Sequence, residues 1–561
     1  MKKTALFAFI FLTLNLYSQN QYRSPLDIPL ILSANFGELR PNHFHSGIDL
    51  KTMGVIDKPV YSIADGYVSR ISISPSGYGL AIYVDHPSTG HTSVYGHLNS
   101  YAPKIAEYIK NKQYEQEKYR IDISLDNTEL PLKRGELIAY SGNTGSSGGP
   151  HVHFEIRDTK TQNALDALEF YKSDIKDSQS PIIKGIAVYP MNGKGVVNNG
   201  KESFRNNISI LKKGGYASLK DSIQAWGTIG LGIYANDKMT GTSNIYGVKI
   251  VRLFCDEKEI FSSNISSVDF DQTRMINSLT DFDYWYRNKA FYMKSFVEPG
   301  NKLPIYNAVN NGFVDINEER KYVFKYELED LYGNKSSYTF NIQGKKQPIP
   351  EPEKCSQVML WNHNNRYISD SFTLLIPKEY LYDDICFVLN QTKNDNYFSD
   401  IYEVNNRYVP LHSYCDMMLK MTKDTLVNKS QYGIVSLKGN REYWVGGTYS
   451  DGYMIGRIRE LGNTYTVSTD IKAPTITPVQ PARWVAQKEI KIRITDNKSG
   501  IASCKGVING DFMLFENDVK SSVYSYKFDP KRLKKGQNQK LIFTATDACG
   551  NIATFEYEFK Y

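Results

Sequence analysis

Cysteine is absent from the first 254 residues of this 561-residue chain; the six present are Cys255, Cys355, Cys386, Cys415, Cys504 and Cys549. The N-terminal part therefore has no thiolate metal site, no cysteine nucleophile and no lipid-modified cysteine behind its leading apolar run. After that run, no apolar stretch reaches the roughly 20 residues of a membrane-spanning helix, so no integral membrane segment is expected. No cluster of Lys and Arg reads as a nucleic-acid surface. The net charge of +7 is small for this length and compatible with an anionic envelope polymer. Histidine is scarce too, at nine, but unevenly spread: seven lie between His43 and His153, and only His363 and His412 follow. Solvated surface histidines would be scattered, whereas imidazoles gathered around one acidic residue suggest a metal site.

The chain begins Met1-Lys2-Lys3, continues through an apolar run from Ala5 to Leu16 and reaches Tyr17-Ser18-Gln19. A short basic start, a run too short to span comfortably and a small residue at its end fit a secretory signal over residues 1–18. Export to the periplasm or cell envelope is expected, with an uncleaved anchor as the alternative.

Residues 25–175 read as a first domain. Pro59–Val68, Leu80–Val84, Thr92–Leu98 and His151–Ile156 alternate apolar and polar residues between turn clusters such as Ser74-Pro75-Ser76-Gly77. Period two punctuated by Gly and Pro predicts antiparallel strands. Ala102–Arg120, rich in Lys, Glu, Gln and Tyr, predicts a helix within an insert at about 99–132. The Gly/Ser-rich stretch Ser141–Pro150 lacks the Gly-Lys-Ser/Thr ending of a phosphate loop and is expected to be a turn lining a groove. His86 and His91 flank a hairpin turn and are expected to be solvated.

A pattern then recurs. Asp177 stands four residues before Pro181, and Asp470 four before Pro474; Asn236-Asp237-Lys238 and Asp330-Leu331-Tyr332-Gly333-Asn334 follow the first, Thr495-Asp496-Asn497 and Asp547-Ala548-Cys549-Gly550-Asn551 the second. Each Asp cluster reads as a turn at a strand end. Two β-sandwich-like modules, at 180–345 and 472–561 (the second Ig-like), are expected, with the Pro-rich linker Gln347–Pro352 and a further β-rich module at 353–470 between them. The fold class is mostly β: an antiparallel sheet domain followed by β-sandwich modules. Cys504 and Cys549 share the last module and are the favoured disulfide pair.

On a strand, His151, His153 and Glu155 face one side while Val152, Phe154 and Ile156 fill a core. His97 ends Thr92–Leu98, and His45-Ser46-Gly47-Ile48-Asp49 enters from a loop. A catalytic zinc takes three protein ligands and keeps one position open for water, which it acidifies; a further imidazole can act as base. No His-Glu-x-x-His helix is present. A lone His-x-His is more often an exposed strand face, and His45-x3-Asp49 alone is weaker still. Together with Tyr95-Gly96-His97 in one β-rich unit, chance becomes a poor explanation.

With His45-Ser46-Gly47-Ile48-Asp49, Pro59–Gly66, Tyr95-Gly96-His97-Leu98, Lys133–Ala139, Ser141–Gly145 and His151-Val152-His153-Phe154-Glu155, the chain resembles the lysostaphin-like (LytM-type) zinc endopeptidases that cut peptide cross-links in bacterial cell walls. The resemblance covers about 35–165. It implies Zn2+ held by His45, Asp49 and His153, His151 as general base, and His97 orienting water or stabilising the oxyanion. Peptidoglycan stems or bridges would be the substrate, with an envelope protein a further partner through the C-terminal modules. The alternatives are a non-catalytic wall-binding or amidase-activating protein of the same fold, or a peptidase acting on secreted proteins. The 99–132 insert departs from compact family members and is expected to form a groove wall. His43, two residues before His45, competes as a ligand; the Asp49 spacing and Gly47 favour His45.

Overall fold

Alternating apolar and polar residues need a sheet with one face in a core, and most of this chain is built that way, with about 49% strand and 9% helix. The computed structural model describes residues 22–212, 215–219, 222–352 and 354–561; the expected signal segment lies outside them. Two compact units are formed, built around Ser46–Lys176 and Asp177–Tyr561. Among the described residues no helix is long and apolar enough to cross a membrane.

In the first unit an antiparallel sheet runs in the order Leu32–Ala34, Ile48–Lys51, His151–Asp158, His91–Leu98, Leu80–His86, Gly66–Ile73 and Ile121–Ser124. Register places His153 opposite Asp49 on one neighbour and Gly96 on the other. Residues distant in sequence thus meet at the sheet centre, while Val152, Phe154 and Ile156 are fully buried beneath them. Gly47 allows the chain to enter at this point: a Cβ there would fall 2.4 Å from the Phe154 carbonyl oxygen.

Three expectations need correction. Pro59–Val68 is not one strand: Pro59–Tyr61 pairs in a separate three-stranded sheet, and a bend through Asp65 redirects the chain into Gly66–Ile73. The helix spans Pro103–Glu115 and stops short of Arg120, because Glu117 turns left-handed at φ 48°. After the helix the insert adds two short strands, Ile121–Ser124 and Pro131–Leu132, both pairing with Gly66–Ile73. His86 is not solvated. It is wholly buried between the Asp65 carbonyl (3.0 Å) and Ser93 Oγ (2.8 Å), and His91 meets the Tyr22 hydroxyl at 2.6 Å.

In the second unit, residues 182–344 form one ten-stranded hydrogen-bonded path around two long strands, Ile182–Val197 and Ile223–Asn236, whose pairing shifts register between Pro190 and Gly195. Residues 358–469 build an eight-stranded sheet around Ile401–Lys420 and Tyr453–Thr469, beside a two-stranded one. Residues 475–560 form sheets of three and four strands, whose inward residues Ile490, Ile492, Leu541 and Phe543 share one core with Trp484. Tyr326, Tyr402, Tyr432 and Tyr526 are fully buried and serve as core, whereas Tyr414 and Tyr443 are exposed.

The disulfide joins Cys355 and Cys386; Cys504 and Cys549 are free thiols. The favoured Cys504–Cys549 pair fails on register. Cys504 stands opposite Ala545, four residues before Cys549. At about 3.4 Å per residue, that offset exceeds the Cα separation a disulfide bridges.

Candidate metal centre

One nitrogen each from His45 and His153 and one oxygen of Asp49 lie within 4.8 Å of one another, and all three residues are buried. His43 is exposed and turned to the Pro41 carbonyl at 2.9 Å, outside this group. His153 Nδ1 lies 2.9 Å from Asp49 Oδ1. Two ligand atoms each about 2.0–2.1 Å from one tetrahedral zinc lie about 3.3 Å apart, so a small opening of this pair accommodates a metal. Two imidazoles and one carboxylate are the donor set of a catalytic site with an open position. The residues fit the ion.

His153 is oriented from behind. Its Nε2–H donates to Glu155 Oε1 at 2.7 Å, and that oxygen also accepts from Ser46 Oγ and the Tyr78 hydroxyl, both at 2.6 Å. Glu155 Oε2 accepts from Arg157 Nε at 2.6 Å. Burial alone would raise the Glu155 pKa, but Arg157 and His153 hold it well below the usual carboxylate range. Burial likewise opposes charge on His153, yet Asp49 and Glu155 outweigh it and lift its pKa to about 9 in the metal-free chain. A proton on Nδ1, shared with Asp49, stands where a metal ion would bind.

His97 and His151 pack with ring centroids 4.8 Å apart. Both are turned by backbone carbonyls of the Gly/Ser-rich stretch. His97 Nδ1–H donates to Thr144 O at 2.8 Å, and His151 Nδ1–H to Gly149 O at 2.8 Å. A ring that is neutral in this tautomer carries its lone pair on Nε2. His151 Nε2 is buried without a hydrogen-bond partner, 3.4 Å from Asp49 Oδ1. Burial, reinforced by the neighbouring imidazoles, drops the His97 pKa to about 3, so the ring is neutral. His97 itself sits at φ 58°, a left-handed conformation uncommon for a side-chain-bearing residue and concentrated at functional sites.

All five residues singled out in the sequence are gathered here. Sequence reasoning did not assign roles to Glu155, Arg157 and Tyr78, nor to the carbonyls of Thr144 and Gly149. Glu155 was visible as the third residue on the His151–His153 strand face; the carbonyls carry no residue-type signal.

The antiparallel sheet thus presents a buried His–Asp–His set with two further imidazoles beside it. Residues 43–114 match the model of Peptidase family M23, and residues 356–470 that of a Zu5-like domain. An uncharacterized metalloprotease of Haemophilus influenzae is 30% identical over 120 residues, 21% of this chain and 19% of its own length. Lysostaphin of Staphylococcus simulans is 28% identical over 131 residues, 23% of this chain and 22% of its own. The peptidoglycan DD-endopeptidase ShyB of Vibrio cholerae is 31% identical over 112 residues, 20% of either chain. The match thus spans about a fifth of these relatives. Over this stretch the N-terminal domain is similar to lysostaphin-like peptidases of family M23.

Proposed function

We propose that this protein is an exported zinc metalloendopeptidase that hydrolyses peptide cross-links of bacterial peptidoglycan. The observation that carries the reading is the buried Nε2 of His151, without a hydrogen bond and 3.4 Å from Asp49 Oδ1, beside the ligand group of His45, Asp49 and His153. A lone pair held there by the Nδ1–Gly149 bond is oriented to accept a proton.

His45, Asp49 and His153 would hold the zinc. Bound there, it would acidify a water molecule and polarise the scissile carbonyl. His151 Nε2 takes the proton of the attacking water and returns it to the leaving amine, so no net proton is consumed. His97, neutral and with Nδ1–H committed to Thr144, offers Nε2 only as an acceptor; it orients the water rather than donating to an oxyanion. The buried Glu155 keeps the Nε2 proton of His153 in place, leaving Nδ1 for the metal. The downstream β modules position the enzyme or bind an envelope partner.

The test is digestion of purified sacculi by the zinc-loaded chain from Gln19 onward beside His151→Ala, with products read by mass spectrometry. Cross-link cleavage by the wild type alone is expected. Stoichiometric zinc without cleavage would overturn the reading in favour of a wall-binding or activating protein, or of a peptidase for secreted proteins.

A further inference from the structure

The turn that joins Gly66–Ile73 to Leu80–His86 carries one aromatic residue, Tyr78. It stands between two glycines that both take a left-handed φ, 63° at Gly77 and 66° at Gly79. The second has no room for a side chain, since a Cβ there would fall 2.3 Å from Thr144 Oγ1. The turn is pinned to the Gly/Ser-rich stretch. Ser146 N–H donates to Gly77 O at 2.8 Å, Gly77 N–H to Ser146 Oγ at 3.0 Å, and Leu80 N–H to Thr144 Oγ1 at 3.0 Å. The backbone therefore fixes where Tyr78 sits independently of its side chain.

From that position the side chain holds His153 in two ways. The Tyr78 hydroxyl donates to Glu155 Oε1 at 2.6 Å, the same oxygen that lies 2.7 Å from His153 Nε2. The Tyr78 ring stacks on the His153 ring, with centroids 5.0 Å apart and 29° between the planes. The imidazole is thus braced across its face and through the carboxylate behind it. A hydrogen bond to an ionised carboxylate is among the stronger ones, and it keeps Oε1 aimed at the nitrogen remote from Asp49.

The main chain of Tyr78 serves His97. Leu80 pairs with Leu98 and Ile82 with Tyr95, so Gly96 and His97 together stand against Ala81 alone. Two residues opposed to one make a β-bulge, which breaks the ladder locally and re-aims a side chain. His97 takes its left-handed φ of 58° at this bulge, and its N–H donates to Tyr78 O at 2.8 Å. Its ring is turned in addition by the Thr144 carbonyl, from the stretch to which the Tyr78 turn is pinned. One residue therefore braces a proposed metal ligand with its side chain and the second imidazole with its carbonyl.

We propose that Tyr78 is a positioning residue of the metal centre: its hydroxyl, acting through Glu155, sets the orientation in which His153 meets the ion. The proposal rests on the zinc-binding part of the reading above and not on the choice of peptidoglycan as substrate. Partners behind a metal-bound imidazole fix its tautomer and ring orientation, and losing one weakens metal binding roughly 10–100-fold. A tyrosine that merely filled space would affect stability and leave metal affinity untouched.

The test is the zinc affinity of the chain from Gln19 onward, read by competition with a chromogenic chelator, beside urea unfolding of the metal-free form. Tyr78→Phe keeps the ring and the carbonyl and removes only the hydroxyl; its zinc affinity is expected to fall about tenfold. Tyr101→Phe is the control, a buried tyrosine of the same domain whose hydroxyl donates to Ala81 O at 3.2 Å. It is expected to lose stability and keep its zinc affinity. Ser46→Ala removes another donor to Glu155 Oε1, and in the double variant its effect should not add to that of Tyr78→Phe, because both act through one carboxylate. Unchanged zinc affinity in Tyr78→Phe would overturn the proposal. So would an equal loss in Tyr101→Phe, strictly additive losses in the double variant, or a Tyr78→Phe chain that fails to fold where Tyr101→Phe folds. Zinc binding by the wild type without cleavage of sacculi would overturn the peptidoglycan reading and leave the role of Tyr78 to be decided by the affinities; no zinc binding by the wild type would overturn both.

Discussion

Glu155, with no solvent exposure, accepts the Nε2–H of His153 at 2.7 Å, while the other nitrogen of the same ring lies 2.9 Å from Asp49. One carboxylate two residues along the strand thereby decides which nitrogen faces the metal position. Replacing it by Gln keeps size but weakens the acceptor and strips Arg157 of its counter-charge. Glu155→Gln is expected to lower zinc affinity roughly 10–100-fold, read by competition with a chromogenic chelator. Because a buried charge is left unpaired, a stability loss of about 3–5 kcal/mol is also expected, read by urea unfolding.

His151→Ala removes the Nε2 beside Asp49 without removing a proposed ligand. Zinc content should stay at one per site while cleavage falls by roughly 10²–10⁴-fold. Metal analysis and cleavage rate on the same preparation check both halves; loss of zinc with the imidazole would make His151 a ligand instead.

Metal binding must displace the Nδ1 proton of His153. Its folded pKa, about 9, lies above the ordinary value of 6.5. In the metal-free chain its stabilising contribution is therefore full below pH 6.5 and is lost as pH rises through 9. Zinc competes with that proton, so affinity should climb about tenfold per pH unit between 7 and 9 from this group. Calorimetry in buffers of different ionisation heat should detect the released proton at pH 7.

The Cys355–Cys386 bridge closes a sequence separation of 31 residues, worth about 3–4 kcal/mol in the chain-entropy account. The Cys355→Ser, Cys386→Ser double variant should lose that much from the transition of the 358–469 region. Peptidase activity should be unchanged, as measured by denaturant unfolding beside a cleavage assay.

Gly47→Ala would place a methyl carbon 2.4 Å from the Phe154 carbonyl oxygen. Backbone must move to admit it, at a cost of about 1–3 kcal/mol. A lowered melting temperature and weaker zinc binding together are expected, since the shift falls between His45 and Asp49.

Much of this was legible in residue order. Alternation in His151–Ile156 predicted a strand with two imidazoles and a carboxylate on one face, because a strand's period is a local property. The helix in the insert was legible from composition, though its end was not: Glu117 leaves the helix at a left-handed φ that no apolar spacing encodes. The burial of His86 was missed because turn-flanking position says nothing about the neighbouring strand, whose Ser93 receives it.

By itself, the sequence determined the inventory: a histidine-rich first domain, strands by their period, and an aspartate pattern repeated in two later modules. Tertiary structure decided the assignments that depend on register and loop path. It put Asp49 opposite His153 and brought the Thr144 and Gly149 carbonyls to the two imidazoles. It also left Cys504 out of reach of Cys549, and brought Asp177, Asp237 and Asp330 together, as it did Asp470, Asp496 and Asp547. The reason is physical: periodicity reports which way a side chain points, whereas pairing across the chain is settled by the packing that minimises unpartnered polar groups over the whole fold.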